Sequence, residues 1–185
     1  MDHGASNYRR FLEGDEHGLA EIIRDYKDGL IFFLVGFVGD IHTAEDLTED
    51  TFVKLVTKKP RYSSHASFKT WLYTIARNVA LAHLRKNKRF PEIAIADDLL
   101  STDEESLERT YIREEQKIAV HHALRKLKSE YRQILWLIYF EDLSNKEAAR
   151  IMKKSVHNIE TLVYRARQSL KSALEKEGFI DEEFC

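Results

Sequence analysis

The chain is poor in the residues that make turns and crosslinks. Its 185 residues include two prolines, seven glycines and one cysteine. Six of the glycines precede residue 40, and residues 40–177 contain none. Turns that need positive φ are therefore scarce over most of the chain, which argues against a β-sandwich, a barrel or a glycine-loop nucleotide fold. The single cysteine, Cys185, excludes an internal disulfide framework and a multi-cysteine zinc site. The longest apolar run, residues 30–35, is far below the roughly 20 residues that span a bilayer. The opening MDHGASNYRR has no apolar core of a signal peptide. The expectation is an all-α protein of the cytoplasm, with no membrane insertion.

What is present is 43% hydrophobic and 32% charged, enough for one core or two small ones. The net charge of −2 conceals blocks. Residues 1–53 sum to −8, residues 54–90 carry ten cations and no acid, and residues 91–108 carry seven acids and no base. Residues 109–185 return to +3. The acid-free block is interleaved with Phe68, Trp71, Tyr73 and Phe90. Cations that neutralise phosphates beside rings that stack on unpaired bases make a nucleic-acid surface.

Hydrophobic periodicity places the helices. Asp15 reads as the N-cap of a helix with its stripe at Leu19, Ile22, Ile23, Tyr26, Leu30, Phe33, Leu34 and Phe37. A second begins near Thr43, where Thr-Ala-Glu-Asp resembles a capping box, and stops before Pro60. Ser67 caps a third, with Trp71, Leu72, Ile75, Val79, Ala82 and Leu84 inward, and Pro91 closes this half. Residues 92–113 read as an acidic linker, a plain tether on composition alone. A second helical half begins about Glu114, with Ile118, Val120, Ala123, Leu124 and Leu127 in its first stripe. Ser129 is expected to cap the next helix, with Tyr131, Ile134, Leu135 and Ile138 inward.

Ser144 and Glu147 form a capping box for a short helix with Ala148, Ala149 and Ile151 inside. Lys153-Lys154-Ser155 turns the chain into a longer helix expected to bury Val156, Ile159, Val163, Ala166 and Leu170. Short helix, tight turn and amphipathic helix make a helix-turn-helix. Lys153, Lys154, Ser155, His157, Asn158, Glu160, Thr161, Tyr164 and Arg165 are then the candidate DNA-facing residues. An ordinary helical hairpin is the alternative for this segment.

Three motifs in order, TAEDLTEDTFVKL (residues 43–55), FKTWLYTIARNVALAHLRKNKR (residues 68–89) and residues 124–171, resemble the extracytoplasmic-function (group 4) sigma factors of bacterial RNA polymerase. The resemblance implies two small helical domains, a region 2-like bundle over residues 1–91 and a region 4-like helix-turn-helix domain over residues 114–176. Residues 92–113 join them and residues 177–185 form an acidic tail. It implies that Asp46, Glu49, Asp50 and Phe52 bind the clamp of the largest subunit of core polymerase, and that the C-terminal domain touches the flap. An acidic strip on a helix repels DNA and suits a basic protein surface, which agrees. Reading and melting of the −10 element fall by resemblance to Lys58, Lys59, Arg61, Tyr62, His65, Phe68, Lys69, Trp71, Arg77, Asn78, Arg85, Lys86, Lys88 and Arg89. Trp71 fits either a wedge between bases or the apolar stripe. The −35 element falls to the helix-turn-helix.

The chain departs from the family pattern at several positions. Glu160, Thr161 and Leu162 stand where relatives commonly have a basic residue, a small hydroxyl residue and an arginine. Lys153 stands for the usual glycine of the turn, and Ala82 for a frequent aspartate. Many relatives are held inactive by an anti-sigma factor, so promoter DNA, duplex and melted, core polymerase and an anti-sigma factor are the expected partners. No catalytic constellation, cofactor or metal is expected, since the adjacent His121 and His122 point about 100° apart on a helix. Two rivals explain less. A free-standing helix-turn-helix regulator leaves the basic block and acidic helix unused. A nucleic-acid-processing enzyme would want metal-binding carboxylates within residues 54–90, where there are none.

Overall fold

The computed structural model describes residues 3–87 and 123–176. The linker over 92–113, the helix start at Glu114, Lys88, Arg89, His121, His122 and the tail over 177–185 lie outside the described residues. Every regular element among them is helical: α1 (His3–Leu12), α2 (Glu16–Val38), α3 (Ile41–Lys58), α4 (Phe68–Lys86), α5 (Ser129–Leu135), α6 (Asn145–Met152) and α7 (Val156–Lys176). None is long and apolar enough to cross a membrane.

Asp15 caps α2 as expected, accepting from the His17 amide. Gly39, at φ 75°, ends it in the left-handed conformation that glycine adopts without strain. The cap of α3 is Asp40 rather than Thr43. The Thr43 amide and hydroxyl both donate to the Asp40 carboxylate, at 2.7 and 2.6 Å, and these bonds lower its pKa. Ser67 caps α4. The inward set of α4 is Phe68, Leu72, Tyr73, Ala76, Val79, Ala80 and Leu84, whereas Ala82, expected inside, is exposed. The periodicity missed α1 altogether. Its buried face consists of Gly4, Asn7, Tyr8 and Phe11, of which only Tyr8 and Phe11 read as apolar.

Ser129 does not cap α5. It is the first helical residue, and its hydroxyl donates 2.6 Å to the Gly36 carbonyl. The helix then widens into a π-turn over Trp136–Phe140, closed by the Glu141 amide on the Trp136 carbonyl at 3.1 Å. The extra residue stacks Phe140 on Trp136, with ring centres 4.4 Å apart and planes 7° apart. In consequence Ile138 is only half-buried.

One continuous apolar core runs through both halves of the chain, from Tyr8 through Phe33, Leu72 and Ile134 to Ile151 and Ala166. α2 packs on α5 and α4 packs on α6.

Candidate nucleic-acid interface

Asp46, Glu49 and Asp50 lie at i, i+3 and i+4 on α3, and all three are exposed. The opposite face is fixed by Leu47, Thr48 and Thr51, whose hydroxyls bond back to the Ala44 and Leu47 carbonyls. Phe52 is nearly buried, but its edge lines a shallow groove with Ile23, Glu49, Val53 and Val56. Val53 and Val56 are exposed. An apolar groove bordered by carboxylates suits a protein surface bearing cations rather than a phosphate backbone.

The basic block is divided. Lys58, Lys59 and Arg61 surround the end of α3 and are exposed. Lys59 takes positive φ and lies 5.5 Å from the centre of the Phe11 ring. The loop that follows is pinned from α1, because the buried Tyr8 hydroxyl donates 2.8 Å to the Pro60 carbonyl. Burial pushes the Tyr8 pKa up to about 12. Tyr62 donates 2.7 Å to the Ala66 carbonyl and presents its ring to Phe68 and Trp71.

Phe68, expected to touch melted DNA, is instead fully enclosed among Tyr8, Tyr26, Tyr62 and Trp71. A flat ring beside cations serves a core wall as well as a base platform, and here it is the wall. Trp71 lies at the rim of the same cluster, half-buried, 5.1 Å from Tyr8. Trp71 and Asn78, both half-buried, and the exposed Arg85 follow one another along one stripe of α4, and Lys86 is exposed beside them.

The other stripe of α4 carries Lys69, Thr70, Tyr73 and Arg77, and the C-terminal half lies on it. Lys69 pairs with the Glu141 carboxylate at 2.7 Å and donates to the Glu141 carbonyl at 2.9 Å. Ser67 and Thr70 donate to the Glu147 carboxylate at 3.1 and 3.3 Å. Arg77 donates 3.3 Å to the Met152 carbonyl, and burial lowers its pKa although Glu130 opposes this. The His65 carbonyl accepts from Arg150. Burial first, and the Glu141 charge second, push the Tyr73 hydroxyl pKa upward.

The helix-turn-helix is present. Ser144 and Glu147 complete the capping box of α6. Lys153 sits at φ 53°, taking without glycine the left-handed position the turn requires. Ser155 accepts 3.2 Å from the Asn158 amide at the start of α7. His157, Asn158, Glu160, Tyr164 and Arg165 are exposed, and Thr161 is half-exposed. Val156, expected inward on α7, is exposed, whereas Leu162, absent from the expected stripe, is buried with Ile159 and Ala166. Lys128 and Tyr131 line a groove with Asn158, Thr161 and Arg165, a placement that sequence spacing does not encode. Across it Lys154 pairs with Glu130 at 3.1 Å. Among the described residues no three metal-ligating side chains come together.

Residues 22–90 match the family model for sigma-70 region 2, and residues 117–170 match that for sigma-70 region 4. The ECF RNA polymerase sigma factor SigM of Bacillus subtilis is 35% identical over 163 residues, covering 88% of this chain and 98% of that protein. The RNA polymerase sigma-H factor of Pseudomonas aeruginosa is 30% identical over 175 residues, covering 90% and 91%. Among solved structures, the sigma factor RpoE in complex with the anti-sigma factor NepR from Bartonella quintana matches with a TM-score of 0.66. It is 24% identical and covers 84% of this chain and 96% of that one, a likeness of fold.

Proposed function

Because the chain belongs to the extracytoplasmic-function group of the sigma-70 family of RNA polymerase sigma factors, we propose a division of labour among its surfaces. As a sigma factor it joins core polymerase and directs promoter-specific initiation. It is a non-enzymatic regulator, and the polymerase performs the chemistry in the cytoplasm. Family membership favours this reading over a free-standing regulator.

Asp46, Glu49 and Asp50, with the Phe52 groove between them and α2, take the polymerase clamp. Lys58, Lys59, Arg61, Tyr62 and His65, together with the α4 residues Lys69, Trp71, Arg77, Asn78, Arg85 and Lys86, take the −10 element as it opens. Lys88 and Arg89 extend that surface on sequence grounds. Opening DNA without ATP means trapping unstacked bases and holding displaced phosphates. The rim position of Trp71 offers a flat face for the first task, and the exposed cations serve the second. Lys153, Lys154, Ser155, His157, Asn158, Glu160, Thr161, Tyr164 and Arg165 take the −35 element in the major groove. The domains run over residues 1–91 and 114–176, with the linker over 92–113 and tail over 177–185. An anti-sigma partner is inferred from the RpoE complex with NepR.

The observation that carries the reading is three chemically distinct strips on one chain: exposed acids on α3, exposed cations beside the half-buried Tyr62 and Trp71 around α4, and exposed polar residues at the start of α7. Multi-round transcription with purified core polymerase and a genomic promoter library tests it. Transcripts that begin only when the protein is added, sharing two upstream elements, are the expected result. A DNA shift by the protein alone, without any new transcript, would return the free-standing regulator.

A further inference from the structure

Helix α1 lies outside both segments matched by the family models, residues 22–90 and 117–170, and carries none of the assigned contacts. It is nevertheless closely seated. A Cβ on Gly4 would collide with the Phe68 ring and the Tyr26 hydroxyl, and one on Gly18 of α2 would collide with the Asn7 carbonyl. Two glycines thus let α1 lie directly against α2 and the first residue of α4.

From this seat α1 reaches the loop over residues 60–67, which joins α3 to α4 and forms no regular element. Within the N-terminal half two hydroxyls fasten that loop near its ends. Tyr8, 1% exposed, donates 2.8 Å to the Pro60 carbonyl, and Tyr62 donates 2.7 Å to the Ala66 carbonyl. Between these two points Arg61 and His65 are exposed and Tyr62 is half-buried. The Tyr8 ring is held as well, its centre 5.7 Å from that of Phe68 and 5.1 Å from that of Trp71. Phe11, one turn further along α1, lies under Lys59, the left-handed residue that leads into the loop. One face of α1 therefore meets both the entry of the loop and the aromatic wall behind it.

A loop that catches an unpaired base discriminates among bases only while its polar groups keep one geometry. Each further geometry admits a different base and adds an ordering cost to binding. The hydrogen bond to the Pro60 carbonyl removes that freedom at a residue whose ring already fixes φ. We propose that α1 is the footing of the base-reading loop and that Tyr8 is a positioning residue, its hydroxyl setting where Arg61, Tyr62 and His65 meet an unpaired base of the −10 element. This rests on the assignment of the loop to that element.

The test uses holoenzyme assembled from purified core polymerase and the full chain, as parent, Tyr8→Phe and Ile31→Val. Tyr8→Phe removes the hydroxyl and keeps the ring in its cluster. Ile31→Val shaves one methyl from the buried face of α2 and serves as the control for general loosening of the same half. The probe is a random-sequence single-stranded 12-mer pool, and the strands retained by each holoenzyme are sequenced. The ratio of most to least retained base at the most selective position is the readout, because molecules that fail to fold drop out of it. Circular dichroism and the affinity for core polymerase are measured alongside.

The parent should favour one base about tenfold at that position, Tyr8→Phe about threefold at most, and Ile31→Val as strongly as the parent. Helix content, core affinity and the salt dependence of pool binding should be the same in all three, since no charge changes. A parental ratio retained in Tyr8→Phe would overturn the proposal, as would an equal fall in Ile31→Val or a loss of core affinity in Tyr8→Phe. In each of those cases the parent's preference leaves the −10 assignment standing. A parent that shows no base preference would remove that assignment and the proposal with it.

Discussion

Replacing Glu147 by alanine removes one acceptor from two helix termini at once. Within α6 its carboxylate accepts from the Ser144 amide at 3.0 Å and the Ser144 hydroxyl at 2.8 Å. Across the interface it accepts from Ser67 and Thr70 at 3.1 and 3.3 Å. The first pair is half of a capping box, worth about 1 kcal/mol. The second pair would be worth more if dry. However, the site is partly solvated, and Ser67 and Thr70 hydrogen-bond each other at 2.8 Å, so neither is orphaned. About 0.5 kcal/mol for each is the appropriate scale. Glu147→Ala should then cost about 2 kcal/mol in urea unfolding followed by circular dichroism, against about 1 kcal/mol for Ser144→Ala. A double-mutant cycle of Glu147→Ala with Ser67→Ala isolates the contact between halves, and a coupling of about 0.5–1 kcal/mol is expected.

Protonation makes the same perturbation. Burial raises the Glu147 pKa, but the bonds from Ser144, Ser67 and Thr70 outweigh it and the net shift is downward from 4.5. The carboxylate therefore stabilises the fold fully above pH 4.5, and that contribution is lost as pH falls through the lowered value. The gap between the parent and Glu147→Gln should narrow over that range. Zero coupling with Ser67, together with a cost no larger than that of Ser144→Ala, would refute the account of the interface.

Reversing Asp46 and Asp50 to lysine should abolish co-purification with core polymerase while leaving the circular dichroism unchanged. Retained binding would remove the α3 strip as the clamp site. Lys153→Gly should stabilise the helix-turn-helix by about 0.5–1 kcal/mol in thermal unfolding, because the turn residue is at φ 53°. It should also weaken duplex binding by removing a cation. Glu160→Ala should change preference at one or two positions of a randomised-site selection, by about 1–3 kcal/mol. Arg165→Ala should weaken all duplexes alike, and a sequence-selective effect would reverse those two roles. Tyr8→Phe should cost about 1 kcal/mol of stability by stranding the Pro60 carbonyl, an effect absent if water replaces the hydroxyl.

Features with a repeating local signal were legible in the sequence. The Ser144–Glu147 box, the Asp15 and Ser67 caps and the exposed positions of α7 all follow from spacings of three and four. Asp40 was missed because Thr43 satisfies the same box pattern, although its hydroxyl serves the cap rather than being it. α1 escaped because half its buried face is Gly4 and Asn7. The five apolar residues of Trp136–Phe140 carry no gap from which a π-turn could be read, so Ile138 was placed by a period of 3.6 that the backbone abandons there. Phe68 and Trp71 show a different limit. Both are aromatic, both sit among cations, and only depth separates the wall of a core from a surface that stacks on a base.

The polar part of the meeting of the halves left no trace in the sequence, since it depends on backbone carbonyls, glycines and single carboxylates. Arg132 is buried with no carboxylate partner among the described residues; burial lowers its pKa, and its Nε has no hydrogen-bond partner. It donates 3.2 Å to the Arg125 carbonyl and 3.5 Å to the Gly36 carbonyl at the end of α2, where a helix dipole favours a cation but does not replace a counter-ion. The Lys69–Glu141 pair is partly solvated, the lysine side chain being about a third exposed. The seam between the halves therefore joins a continuous apolar core to a polar edge of carboxylates, carbonyls and a buried arginine, and the polar edge is the part most readily reached by solvent.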